Sequence, residues 1–111
     1  MKKKFRVKKN QEFQSILGQR QFVNSDSFTI YYRTRSLDHS RVGISASKKL
    51  GNAVVRNKVK RQIRMICQQI LSFDEEIDII VLARKKYFDY SFKENLEQFN
   101  ELMKKIKIRR K

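Results

Sequence analysis

The sequence contains no proline and no tryptophan, a single cysteine, a single histidine and three glycines. Each scarcity excludes something. Cys67 alone cannot build a disulfide framework, and His39 alone cannot join a Cys/His set around zinc. Both are read as structural residues. No segment approaches the roughly 20 consecutive apolar residues of a membrane span. The basic opening MKKKFRVKKN is not followed by the apolar run of a secretory signal. There is no internal repeat and no low-complexity linker. These absences predict a soluble, cytoplasmic protein with no membrane partner and no small-molecule cofactor.

Acidic residues are also scarce. Eleven Asp and Glu face 27 Lys and Arg, a formal net charge of +16. A chain so unbalanced repels itself when compact, and a polyanion is the usual complement. Nucleic acid is the first candidate and an anionic membrane surface the second. Apolar residues make up 40% of the chain, enough for a packed core and too many for a disordered basic tail. At 111 residues one core is the expectation, a single domain over 1–111 that includes a basic N-terminal arm at 1–9.

The missing acids are unevenly distributed. None lies between Asp38 and Asp74, whereas the stretch 41–64, RVGISASKKLGNAVVRNKVKRQIR, carries eight cations. Periodicity supplies the frame. Asn10 is placed to cap a short helix whose Phe13, Ile16 and Leu17 share a face. In SFTIYYRT (27–34), Phe28, Ile30 and Tyr32 alternate with Thr29, Tyr31 and Arg33, as on a strand with one face on the core. After a turn at SLDHS (36–40), RVGISAS alternates too, with Val42, Ile44 and Ala46 inward and Gly43, Ser45 and Ser47 opposite. The period changes to 3.6 from Asn52 to about Leu71. IDIIVLA (77–83) has the nearly continuous apolar character of a strand covered on both faces. Ser91 and Glu94 have capping-box spacing, opening a helix that buries Phe92, Leu96, Phe99, Met103 and Ile106. The expected class is α+β, one sheet with helices.

On the long helix Val55, Val59, Ile63, Ile66 and Ile70 form one stripe. Asn57, Lys60, Arg61 and Arg64 cover the opposite side, with Arg56 and Lys58 flanking. A solvated helix face ordinarily mixes its charges, because opposite signs at i,i+4 add support and like signs cost a few tenths of a kcal/mol. Here Arg56–Lys60 and Lys60–Arg64 are like pairs, so an anionic partner is the better reading. A membrane-surface helix would carry Trp, Phe or Leu on its apolar side; β-branched residues suit packing on a sheet. A DNA helix-turn-helix needs a short helix just before the recognition helix, and a strand with Gly51 stands there instead. Tyr31, beside Arg33, is placed either to stack an unpaired base or to pack under the first helix.

These motifs resemble the bacterial ribonuclease P protein family. RVGISASKKLGNAVVRNKVKRQIR is similar to its signature, a strand ending in Ser-x-Ser-Lys-Lys that runs through Gly-Asn-Ala-Val into an Arg-Asn-Arg helix. KKNQEFQSIL (8–17), FTIYY (28–32) and DIIVLARK (78–85) resemble its first helix, its cleft strand and its later strand. The resemblance implies an α/β sandwich of order α-β-β-β-α-β-α with a left-handed β-α-β crossover, contrary to the general rule. It implies a protein subunit, not catalytic alone, whose partners are ribonuclease P RNA and precursor tRNA. The RNA performs hydrolysis with Mg²⁺, bound mainly by the RNA component.

By the same resemblance, Lys48, Lys49, Asn52, Arg56, Asn57, Lys58, Lys60, Arg61 and Arg64 face the catalytic RNA. Phe13, Leu17, Tyr31, Ser45 and Ser47 line a cleft for the 5′ leader, bordered by Arg84 and Lys85. Two positions depart from the family pattern. Lys58 replaces the second Arg of Arg-Asn-Arg, keeping the charge and losing the bidentate fork. Leu17 stands where a second aromatic is frequent, giving an apolar wall without a stacking face. Two other classes stay open: a nuclease acting alone, for which no carboxylate cluster or His pair is visible, and a basic ribosomal or RNA-chaperone protein.

Overall fold

The computed structural model describes residues 2–109; Met1 of the arm and the terminal Arg110 and Lys111 lie outside the described residues. The regular elements are α1 (Asn10–Gly18), β1 (Phe22–Asn24), β2 (Phe28–Thr34), β3 (Val42–Ser45), α2 (Ala53–Ile70), β4 (Ile77–Ala83) and α3 (Phe92–Arg109). This is the expected order α-β-β-β-α-β-α. The four strands form one sheet in the order β1-β2-β4-β3. β1–β2 and β2–β4 are antiparallel, and β3–β4 is parallel. The crossover between the parallel pair is α2.

β4 lies between β2 and β3, which accounts for its nearly continuous apolar character, broken only by Asp78. Ile77, Ile79 and Val81 join the larger core, where Val59, Ile63, Ile66 and Cys67 of α2 meet Phe99, Leu102, Met103 and Ile106 of α3. Ile80, between them in sequence, faces the other way and is buried with Val7 and Ile16 under α1. Leu102 and Asn95 lie outside the expected α3 face and are buried too. Phe92 and Leu96 only pack against that core's edge.

Helix ends show how locally the chain is specified. Ser91 and Glu94 close the reciprocal capping box: the Ser91 N–H donates to Glu94 Oε1 (2.9 Å) and the Glu94 N–H to Ser91 Oγ (3.1 Å). Asn52 caps α2, its Oδ1 accepting the Val55 N–H at 3.0 Å. Asn10 does not cap α1. The extended residue before the helix is Lys9, and Asn10 already lies in the first turn. The start is fixed instead by the arm, whose Val7 N–H donates to the Val42 carbonyl at 3.0 Å. Part of the expected arm is therefore sheet-edge structure: Arg6 bridges to Val42, and Phe5 stacks on Phe73.

Magnitudes explain why α2 tolerates its charges. Burying Val59, Ile63 and Ile66 contributes about 1.5–3 kcal/mol each. Repulsion at Arg56–Lys60 and Lys60–Arg64 costs only a few tenths each. On the same helix Cys67 is fully buried, and desolvation pushes its thiol up to about 12. Because the thiolate is the nucleophile, a thiol reagent at pH 8 is expected to modify Cys67 more than about a hundredfold faster in urea than in the native protein. Rapid labelling without denaturant would contradict this packing.

Candidate RNA interface

The strand registers arrange the sheet face beneath α1 in three rows. Phe22, Tyr31, Ile80 and Gly43 are direct cross-strand neighbours and form the middle row. Asn24, Thr29, Leu82 and Ser45 form a second row at one end. Arg33 opposite Asp78 begins the third, at the other end. α1 covers the middle row: Phe13 and Leu17 pack with Tyr31 and Leu82 on the Val7–Ile16–Ile80 cluster. A Cβ at Gly43 would stand 2.7 Å from Phe13 Cζ, so only glycine leaves that ring in place.

Tyr31 combines packing with access. It is half-buried, with its ring 5.2 Å from that of Phe22, and lies under α1 while one side stays open to solvent. Phe13, Leu17, Tyr31 and Ser45 thus belong to one continuous surface. Ser47 does not share the strand: β3 ends at Ser45, and Ser47 is exposed at the start of the Lys48–Leu50 3-10 turn. Arg84 lies two residues beyond Leu82, and its Nη1 donates to the Ser25 carbonyl at 2.9 Å. Lys85 opens the 3-10 turn Lys85–Asp89 and is exposed.

The third row is sealed by charge. Asp78 is fully buried and accepts the Arg41 N–H at 2.9 Å. Its Oδ2 lies 3.4 Å from Arg41 Nη2 and 3.7 Å from Arg33 Nη2. Arg41 also pairs with Glu12 of α1, and Arg33 Nη1 donates to Ser15 of α1 at 2.7 Å. Arg41 is one of the eight cations of the acid-free stretch, yet it is only 7% exposed and is paired with distant acids. It belongs to the fold and leaves the other seven cations for the surface. Nothing local in the sequence reveals a pairing between residues 37 apart.

The cations of α2 do not form one uniform face. Lys60 and Arg64 line a small groove of about 100 Å³ with Arg6, Val7, Phe13 and Ile44. They stand at the rim of the sheet face beneath α1, although the family resemblance groups them with the catalytic-RNA residues. Asn57 and Arg61 are exposed on the outer side, and Arg56 is half-buried. Lys58, exposed, shares a different groove with Gln62 and the Lys85–Asp89 turn. Lys48 and Lys49 are exposed just before the helix, while the Asn52 side-chain carbonyl is occupied by its cap. No acid lies in the first turn of α2, so these cations add to the positive end of the helix dipole.

Residues that periodicity does not single out also contribute. Phe22 and Leu82 enter through register, and Arg6 through the arm's bridge to Val42. The arm's Lys3, Lys4, Lys8 and Lys9 surround a further groove of about 380 Å³ beside Glu12 and His39. His39 has a structural place there, its Nε2 2.8 Å from the Lys4 carbonyl and its Nδ1 2.8 Å from Asp38. The hydrogen bond from His39 lowers the Asp38 carboxyl below its ordinary value. Among the described residues no three His, Cys, Asp or Glu side chains converge as a metal cage. The acids nearest the cleft, Asp78 and Glu12, are held by arginine. The residues present do not fit a protein-bound Mg²⁺ at this surface. No helix of the described residues is long and apolar enough to cross a membrane.

Comparison with known proteins places this geometry. The family model described as Ribonuclease P matches residues 1–107. The ribonuclease P protein component of Mesoplasma florum is 44% identical over 105 residues, spanning 93% of this chain and 96% of that protein. The fold is similar to the RNase P protein of Staphylococcus aureus, with a TM-score of 0.84 and 39% identity over 93% of this chain and 95% of that one. The Thermotoga maritima RNase P protein gives 0.78 and 27%, covering 90% and 96% respectively. With a family match across nearly its full length and relatives at this identity, the chain belongs to the ribonuclease P protein family.

Proposed function

We propose that the protein binds ribonuclease P RNA and the 5′ leader of precursor tRNA, promoting endonucleolytic removal of the leader by the holoenzyme. The observation that carries this reading is the adjacency of two surfaces. An acid-free cationic helix borders a half-open sheet face bearing Tyr31, Phe13 and Ser45. Phosphates of the catalytic RNA are neutralised by Lys48, Lys49 and the α2 cations, and unpaired leader nucleotides lie on the sheet face. Leader contact favours precursor over mature tRNA, which has no leader to bind. The added positive charge lowers repulsion between the two RNAs and with it the Mg²⁺ requirement. Mg²⁺ and the hydrolytic step belong to the RNA component, and the work is done in the cytoplasm.

Reconstitution with ribonuclease P RNA tests the proposal. Stimulated cleavage of precursor tRNA is expected, with no cleavage by the protein alone. RNA binding without precursor-specific stimulation would point to a ribosomal or chaperone role, and cleavage without added RNA to a self-sufficient nuclease. Tyr31→Ala is expected to narrow the affinity gap between precursor and mature tRNA by roughly tenfold, the worth of one base stack. An equal effect on both tRNAs would remove Tyr31 from the leader surface.

A further inference from the structure

On the opposite side of the sheet from α1, a second groove lies between the N-terminal half of α2, the Lys85–Asp89 turn and the start of α3. Its volume is about 410 Å³, and its walls include Lys58, Gln62, Tyr87, Phe88, Tyr90 and Phe92. That volume falls within the roughly 300–1,000 Å³ typical of small-ligand clefts. Neither the packing of the core nor the leader surface uses it. Phe88 is 47% exposed and makes an edge-on ring contact with Tyr87. A large aromatic left in water beside a cationic helix face calls for an occupant.

We infer that this groove receives an unpaired nucleobase of the RNA bound along α2, stacked on Phe88 and held beside Lys58. The inference rests on the RNA-binding reading above and extends it to a base contact. Three features select this occupant. The cation at the wall, Lys58, is continuous with exposed Asn57 and Arg61 on the same helix, so the entering polymer is anionic. The aromatic wall supplies a π-face, which any base can use regardless of sequence.

The third feature is a directional donor. The Tyr87 hydroxyl donates to Gln62 Oε1 at 2.6 Å, and burial pushes the Tyr87 phenol up to about 12, so that proton stays in place. Gln62 Nε2 is thereby left as a donor with no acceptor among the described residues, available to a base edge. Tyr90 and Asn95 are committed elsewhere, Tyr90 donating to Asp26, and Asn95 accepting from Ser27 and donating to the Tyr87 carbonyl. The groove walls are thus fixed before RNA arrives.

The chain has no tryptophan, so Phe88→Trp places a sole tryptophan in the groove, read by excitation at a wavelength that tyrosine does not absorb. Its emission is expected to be quenched as ribonuclease P RNA is titrated, saturating with binding. In the full-length protein Phe88→Ala is expected to weaken binding to that RNA roughly tenfold while leaving the salt dependence unchanged, because a stack releases no counterion. Phe88→Tyr should restore the affinity. Urea unfolding of each variant separates a binding loss from a folding loss. Wild-type affinity in Phe88→Ala, together with unquenched emission from the Phe88→Trp variant, would overturn the inference and leave the groove to a protein partner. Arg61→Ala in the same assay separates the two readings. If it weakens binding, the RNA-binding helix stands without the groove; if it does not, both fall.

Discussion

Asp78→Ala is expected to destabilise the fold by about 3–5 kcal/mol, the usual cost of removing one member of a buried ion pair. The carboxylate is fully buried and receives the Arg41 backbone N–H and guanidinium, with the Arg33 guanidinium beside it. Removing it takes from the buried Arg41 its fully buried acid and leaves it the partly exposed Glu12, in a chain already carrying +16. It also cuts the link that this buried side chain makes among β2, β4 and the residue entering β3. Against a typical total of about 5–15 kcal/mol, the loss is large enough to shift a urea midpoint well outside error. Asp78→Asn keeps an acceptor for the Arg41 N–H and should cost less. Glu12→Gln should cost less still, because Glu12 is partly exposed and its pair with Arg41 is screened. A cost below about 1 kcal/mol for Asp78→Ala would mean that water replaces the carboxylate around both arginines.

That ion-pair cluster marks where sequence reasoning stops. Local rules identify α2, the Ser91–Glu94 box and the two-sided burial of β4, because each depends on residues a few positions apart. The surface shared by Phe13, Tyr31 and Ser45 is legible from alternation joined to the family resemblance. The strand order is not. The turn at 36–40 suggests neighbouring strands, yet β4 inserts between β2 and β3. The connecting segment consequently bonds to the residues entering β4: the Arg35 N–H donates to the Glu76 carbonyl and the Ser40 N–H to the Phe73 carbonyl. Once β4 is central, Asp78 falls between Arg33 and Arg41, and Arg41 ceases to be a surface cation. The division of the α2 cations is a similar case. A helical wheel places Lys58, Lys60 and Arg64 around one axis, but only the positions of α1 and the Lys85–Asp89 turn decide which groove each one borders.

Neutralising that helix face gives the second large effect, and its two readouts should move in opposite directions. In Lys58→Gln/Lys60→Gln/Arg61→Gln/Arg64→Gln the like-charge pairs at Lys60–Arg64 and Arg56–Lys60 disappear. The stability of the free protein is therefore expected to hold or rise by a few tenths of a kcal/mol; glutamine retains part of the stem that covers Phe13 and Ile44. Affinity for ribonuclease P RNA should fall by roughly two to three orders of magnitude near physiological salt. The slope of log affinity against log salt should flatten by about 3, at ~0.7–0.9 for each phosphate that is no longer neutralised. A helix that is cationic only as a solvated surface would gain the stability and lose nothing in binding. A helix whose charges brace the fold would lose stability first, and its salt slope would stay where it was. Only a phosphate-binding face improves the free protein while losing its partner, because the same repulsion that burdens α2 alone is what the RNA relieves.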